Sequence, residues 1–394
     1  MWQVINGNNI DVLKTYSDDT FDSIVTDPPY GIAFLGKDWD NNTGALETWQ
    51  ECFRVLKPGG YLLAFSAART YHHLATNIEM SGFEIRDQLM WLYSSGFPKA
   101  QDIGKALDKR GVENDLHGWK TSLKPAHEPI VMARKPFSGS ATDNVLEHGV
   151  GALNIDASRI NFTNSDDIAE YKNNLAGPLE RSTANNGDAL GMFNGGTGFK
   201  AMKGSSVEDH MPEGRFPSNV LGEVQDYQKY FYCPKVSRAE RHAGFDKNST
   251  GAMIDANTHG KTPLCLDCNK TFNGTTNHSK CDPNKKTFVE RRNNYTQDGT
   301  LGRMKDKMHQ PNVGNNHPTV KPVQLMKYLV RLVTPIGGKV LDPFNGSGST
   351  GMACVELKCD YTGIDLDENY VEIAQKRISA WEKRFDTPKH NLFD

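Results

Sequence analysis

Lys339-Val340-Leu341-Asp342-Pro343-Phe344-Asn345-Gly346-Ser347-Gly348-Ser349-Thr350-Gly351 is a short apolar strand that ends on a carboxylate, turns through glycines and runs into a helical pattern. Strand, glycine turn and helix in this order open a doubly wound α/β unit. Gly346 and Gly348 let the backbone approach a ligand closely, and Asp342 at the strand end can receive a cation or a hydroxyl. The residues that follow are not the Lys-Ser/Thr of a phosphate-cradling loop. Further on, Tyr361-Thr362-Gly363-Ile364-Asp365 ends a second strand on an acid, about 20 residues after the turn, where such folds meet ribose hydroxyls. The expected ligand is an adenosine carrying something other than a pyrophosphate.

Near the amino terminus, Ser23-Ile24-Val25-Thr26 leads into Asp27-Pro28-Pro29-Tyr30. This apolar run delivers a carboxylate, two rigid prolines and an aromatic ring to one strand end. Asp27 and the Pro28 carbonyl can accept both hydrogens of an exocyclic amino group, while Tyr30 can stack on its ring. Prolines fix φ and remove donors, so the carbonyl is aimed at little conformational cost. A strand ending in a Pro-rich turn is the plainer reading of these four residues taken alone.

Short apolar runs at Val4-Ile5, Ile24-Val25, Tyr61 to Phe65, Gln88 to Leu92, Pro129 to Met132, Val340-Leu341 and Tyr361 to Ile364 alternate with helical stretches such as Thr48 to Leu56 and Tyr71 to Met80. That alternation predicts an α/β, doubly wound fold with a mainly parallel sheet of about seven strands, built from both ends of the chain. Residues 1–136 would form one half of this domain and 313–394 the other. Between them, 137–312 is rich in Gly, Asn, Ser, Thr and Asp and poor in periodicity, which predicts a large loop-rich insert.

Within the insert, Cys265-Leu266-Asp267-Cys268 and His278-Ser279-Lys280-Cys281 give four soft donors in tetrahedral zinc spacing, with Cys233 as the alternative to His278. A structural zinc would supply folding free energy that this polar stretch cannot draw from a core. A group of free thiols in a loop is the competing reading. From 285 to 307 follow Lys285, Lys286, Arg291, Arg292, Arg303, Lys305 and Lys307, a local net charge of +4 in a chain whose overall charge is -3. Any nucleic-acid surface is thus a patch and not a global field. Seven cysteines, no run of 18 apolar residues and no export signal pattern point to reduced thiols, no membrane and the cytoplasm.

DPPY, DPFNGSGST and His317-Pro318-Thr319-Val320-Lys321-Pro322 between them resemble the amino-group DNA methyltransferases, and their order resembles the beta class. Further matching stretches are Arg54 to Gly60, Trp91 to Lys99 and His127 to Val131; looser likeness to phage and prophage methylases runs through Asn154 to Asp156, Gly214 to Asn219 and Pro234 to Arg241. The resemblance implies a Rossmann-like methyltransferase that uses S-adenosylmethionine on adenine N6 in double-stranded DNA, with the insert as target-recognition surface. It further implies Asp27, Pro28, Pro29 and Tyr30 as catalytic residues acting on a flipped base. For the cofactor it implies Asn8, Asp27, Thr319, Lys321, Asp342, Phe344, Gly346, Ser347, Gly348 and Asp365, with Lys321 near the methionine carboxylate. Asn8 stands where relatives often carry Asp. Cytosine N4 is the alternative acceptor, RNA a third, and a non-catalytic nucleic-acid-binding protein using the zinc loop the reading from another class. Carbon-5 cytosine chemistry needs a Pro-Cys pair, which is absent. A cognate restriction endonuclease and a homodimer are the protein partners that such a family leaves open.

Overall fold

The computed structural model describes residues 1–32, 42–93, 100–173, 211–222, 238–241, 243–244, 261–265, 286–290, 315, 317 and 319–386. By contact the chain divides into one unit of Met1–Gly244 with His317–Asp394, and a second of Phe245–Asn316. The first unit begins with β1 (Trp2–Asn6), α1 (Asn9–Leu13), β2 (Phe21–Thr26), α2 (Leu46–Val55), β3 (Leu56–Phe65), α3 (Tyr71–Met80), β4 (Glu84–Leu92), α4 (Ile103–Asp108) and β5 (His127–Arg134). It continues with α5 (Ala141–His148), β6 (Ile160–Asn161), β7 (Gly214–Arg215), β8 (Val220–Gly222) and α6 (Arg238–Arg241). In the second unit, β9 (Lys261–Cys265) and β10 (Lys286–Glu290) pair antiparallel, Cys265 opposite Lys286. The first unit then resumes with α7 (Val323–Val333), β11 (Lys339–Asp342), α8 (Ser349–Leu357), β12 (Asp360–Asp365) and α9 (Glu368–Asp386).

One sheet organises the first unit, in the order β1-β12-β11-β2-β3-β5-β4-β8. Every neighbour pair is parallel except those of β5, which runs against β3 and β4. This is the α/β, mainly parallel sheet expected, with eight strands and not about seven. The additional edge strand, β8, has three residues and lies in the stretch read as insert, too short to register as a periodic run.

Both faces of the sheet are covered, which is why β2 is buried at all six positions and cannot alternate with polar residues. Successive side chains point to opposite faces. Val25, Leu63 and Val340 accordingly join the core with Leu329, Met352 and Ile378, while Ile24, Leu62 and Leu341 join a second core with Trp49 and Leu74. Asp22 fixes the strands at their other end: it takes the Lys57 ammonium at 2.6 Å and the Lys339 amide at 2.6 Å. The sequence leaves β2 toward β3 on one side and β11 toward β12 on the other. Such a switch point opens a crevice beyond the carboxyl ends of the two central strands, where open α/β sheets take ligands.

Candidate active site

The switch point brings the two chain ends' motifs together. Thr26, the last residue of β2, donates its hydroxyl to Asp342 Oδ1 at 2.6 Å, and Thr350, in the first turn of α8, donates to Asp342 Oδ2 at 2.7 Å. The Phe344 amide adds a third bond at 3.2 Å. Asp342 is thus a buried clamp between strand, turn and helix, and burial pushes its carboxyl up to about 6. A cation or hydroxyl of a ligand would find its oxygens already engaged.

The turn itself needs its glycines. Gly346 has φ +51, and a Cβ there would lie 2.9 Å from His317 Nε2; Gly348, with φ +77, caps α8. Asp365 Oδ2 accepts the Gly346 amide at 2.7 Å and its Oδ1 the Asp367 amide at 3.0 Å. A carboxylate has about four acceptor sites, so Asp365 retains lone pairs for hydroxyl donors. Burial raises it to about 6 as well. Ser347 faces inward: its carbonyl and hydroxyl receive Arg377, which also bonds Ser349 and the Glu240 carbonyl. Burial lowers this guanidinium to about 10. Glu240 in turn accepts the Val323 amide at 2.7 Å, which ties α6 to the start of α7.

Asn8 caps α1 by accepting the Ile10 amide at 2.9 Å, and its neighbour Asn9 is the residue that reaches the turn, donating to the Pro343 carbonyl at 3.2 Å. Phe344 packs at 5.7 Å against Trp49. Thr319 offers its carbonyl to His317 Nδ1. His317 then presents Nε2 toward Gly346, and burial lowers the imidazole to about 4, so it is neutral at pH 7.

On the β2 side of the crevice, Asp27, Pro28, Pro29 and Tyr30 follow directly from the strand. Lys321 enters here: its ammonium lies 2.6 Å from Asp27 Oδ2, 3.0 Å from the Tyr30 hydroxyl and 3.3 Å from Glu128 Oε2. Its side chain is only 7% exposed. The stem runs between aromatic faces, with the ammonium 5.3 Å from the Tyr30 ring centre and 4.8 Å from that of Phe65. Burial alone would lower this lysine, but the Asp27 and Glu128 carboxylates outweigh it and keep it charged. The Tyr30 hydroxyl lies 2.9 Å from Asp27 Oδ1 and 2.8 Å from Glu128 Oε2. Burial first, then those two carboxylates, hold its proton well above the usual phenol range. Sequence reading singled out neither Glu128 as a site residue nor Arg377.

Cys268, His278, Cys281 and Cys233 are outside the described residues, as is most of the basic strip; Cys265 ends β9, with only its backbone described. Among the described residues no group of three or more His, Cys, Asp or Glu could hold a metal, and no helix is long and apolar enough to cross a membrane.

The crevice suits an adenosine with a cationic substituent. Carboxylates crowd its two strand ends, Asp365 keeps lone pairs for hydroxyl donors, and Arg377 is buried against Ser347. The sheet thus sets an acid-Pro-Pro-Tyr strand end beside a glycine turn on neighbouring parallel strands. The profile of the N6_N4_Mtase family, DNA methylase, matches residues 21–376, and the chain belongs to this family. It is 28% identical over 200 residues to the type II methyltransferase M.HindIII of Haemophilus influenzae, covering 38% of this chain and 64% of that protein. To M2.DpnII of Streptococcus pneumoniae it is 42% identical over 64 residues, 16% of this chain and 24% of that one. The matched stretches thus span less than two thirds of these relatives. Among solved structures, the cytosine-N4-specific PvuII DNA methyltransferase is 12% identical, covers 97% of this chain and 92% of its own, and has a TM-score of 0.46.

Proposed function

We propose that the protein methylates the exocyclic amino group of adenine, at N6, in double-stranded DNA, with S-adenosylmethionine as donor. The observation that carries this reading is the placement of Asp27 and Tyr30 on one side of the switch-point crevice and the Gly346 turn with Asp365 on the other. When bound, S-adenosylmethionine supplies a methyl group already activated on a sulfonium. The chain's own residues have the task of positioning and tuning. Asp365, Asn8 and the backbone of the glycine turn hold the adenosine end.

An amino group conjugated to an aromatic ring is a poor nucleophile. Hydrogen bonds from its protons to Asp27 and to the Pro28 carbonyl localise the lone pair toward the methyl group, and holding the two in line removes much of the entropic barrier. The target base is stacked in a duplex and must be flipped out, at a cost of a few kcal/mol that stacking on Tyr30 offsets. Acid-Pro-Pro-Tyr favours adenine over cytosine by family resemblance. Recognition of the target sequence is assigned to the insert with its basic strip and zinc knuckle, and the cytoplasm is the compartment proposed for the protein.

Methylation-sensitive sequencing of DNA from cells expressing the protein tests this directly. N6-methyladenine within one short sequence is the expected result, and it should vanish in cells expressing Asp27→Ala. N4-methylcytosine would reassign the base, and unmodified DNA would sink the reading.

A further inference from the structure

Three segments far apart in sequence meet at the end of β2 and build more than a base socket requires. Asp27 alone could accept an amino hydrogen. The structure adds a second carboxylate, Glu128 at the start of β5, a phenol between the two acids and an ammonium beside both. Tyr30 has one hydroxyl proton and near-equal distances of 2.9 Å and 2.8 Å to Asp27 Oδ1 and Glu128 Oε2. It can donate to only one of them at a time, while its oxygen can accept from the other. A hydroxyl so placed can pass a proton from one acid to the other without moving.

Lys321 gives this passage a direction. Its ammonium is 2.6 Å from Asp27 Oδ2 and 3.3 Å from Glu128 Oε2. Coulomb attraction grows as distance shortens, so negative charge is held more firmly at Asp27 and arriving positive charge is passed toward Glu128. The ammonium also occupies Oδ2, which leaves Oδ1, the oxygen facing Tyr30, for an incoming amino hydrogen. Two carboxylates and one ammonium leave the cluster with one negative charge, the sign that a nitrogen becoming cationic requires. Among titratable neighbours, Tyr93 faces Glu128 from the end of β4, and it is pushed up to about 12 by burial and then by that carboxylate.

We propose that Glu128 is the terminal acceptor of the proton released on methyl transfer, reached from Asp27 through the Tyr30 hydroxyl. This rests on the methyl-transfer reading above. The nitrogen lone pair forms the new bond to carbon as the carbon–sulfur bond breaks, and sulfur keeps that bond's electron pair. The nitrogen then carries the positive charge until one of its protons passes to Asp27 Oδ1. Tyr30 takes this proton on its oxygen while its own hydrogen goes to Glu128 Oε2, so Asp27 and Tyr30 end as they began and Glu128 ends neutral. The two transfers are concerted, because the surroundings of Tyr30 oppose a phenolate. With its side chain 20% exposed, Glu128 can return the proton to water between turnovers.

Steady-state methylation of a DNA duplex by Glu128→Gln, Tyr30→Phe and the double variant tests the relay. Gln keeps an oxygen for Tyr30 and Lys321 and loses only the capacity to take the proton; Phe keeps the stacking ring. A lost acid–base path costs about 10²-fold or more in rate. Each single variant should lose that much in kcat with KM for DNA and for S-adenosylmethionine within about twofold, and the double should be no slower than the slower single. Either single variant within about twofold of wild-type kcat overturns the relay, as do losses that multiply in the double. Calorimetric titration with S-adenosylmethionine checks that each variant is folded. Should Glu128→Gln fail that check, Tyr30→Phe carries the test alone. Wild-type protein that methylates no duplex would refute the underlying reading, a result separable from a normal wild type with unaffected variants.

Discussion

Asp27 and Asp342 stand at the carboxyl ends of neighbouring strands and share a chemistry, yet their surroundings divide the labour. Asp342 is 2% exposed and meets only neutral donors, the Thr26 and Thr350 hydroxyls and the Phe344 amide. Asp27 is 22% exposed and meets an ammonium and a phenol that both also reach Glu128. The first carboxylate is held in place by its partners and holds them in place. The second has partners that can be exchanged for a substrate's. Identity of residue and of strand position does not set the role; the donors do.

The largest expected effect separates the two functions outright. Asp27→Ala should reduce methyl transfer by about 10³-fold, the upper range for losing one preorganised hydrogen-bonding group, while cofactor affinity by calorimetry changes little. A variant with normal turnover would erase the contrast. Asp342→Ala should do the reverse first: three donors, two of them buried hydroxyls, lose their acceptor, and a loss of about 3 kcal/mol in urea unfolding is expected. An unchanged urea midpoint would mean that the clamp holds nothing.

The same contrast has a pH signature. Burial lifts Asp342 from the usual aspartate range to about 6, so the folded protein binds this proton more tightly than the unfolded chain does. Its contribution is complete below about pH 4 and is lost as pH rises through about 6, a window worth up to about 3 kcal/mol. Asp342→Asn, which does not titrate, should therefore gain relative to wild type between pH 4 and 7 in urea midpoints; parallel curves would contradict the assignment. Smaller still, Gly346→Ala puts a Cβ at positive φ against His317 and should cost about 1–2 kcal/mol in the same assay. Asp365→Ala should weaken cofactor binding about tenfold, or about 1.4 kcal/mol, and unchanged affinity would remove Asp365 from the site.

Much of this was legible because it is local. The strand-to-turn patterns around Asp27 and Asp342 are carried by contiguous residues, and the termini could be joined into one sheet because apolar runs alternate with helical ones. The predicted helix Tyr71 to Met80 matches α3 residue for residue. Strand direction was not legible, since a period of two reads the same both ways, so β5 gave no hint that it runs antiparallel. Lys321 was expected by resemblance near the cofactor's carboxylate; its reach to Asp27 was not legible, because it depends on which way a buried side chain turns. Arg377 sits between Lys376 and Ile378 and looks like a solvated charge. Its one signal is its place in the apolar stripe of Ala374, Ile378 and Trp381, all buried on α9. Glu128 lay inside a matching stretch but has meaning only across the sheet, where Tyr30 arrives.

The bond between Lys321 and Asp27 spans 294 residues of sequence. During synthesis at about 5–20 residues per second, the ribosome needs roughly 15 to 60 s to make the chain between them. Until then β2 lacks β11 beside it, and the nascent sheet carries an open central edge that invites mispairing. A chain released early contains the acid-Pro-Pro-Tyr motif without its lysine or glycine turn, and so lacks the crevice between them. Expression of this protein should therefore be sensitive to translation speed and chaperone supply, in the way of a fold whose centre is completed last.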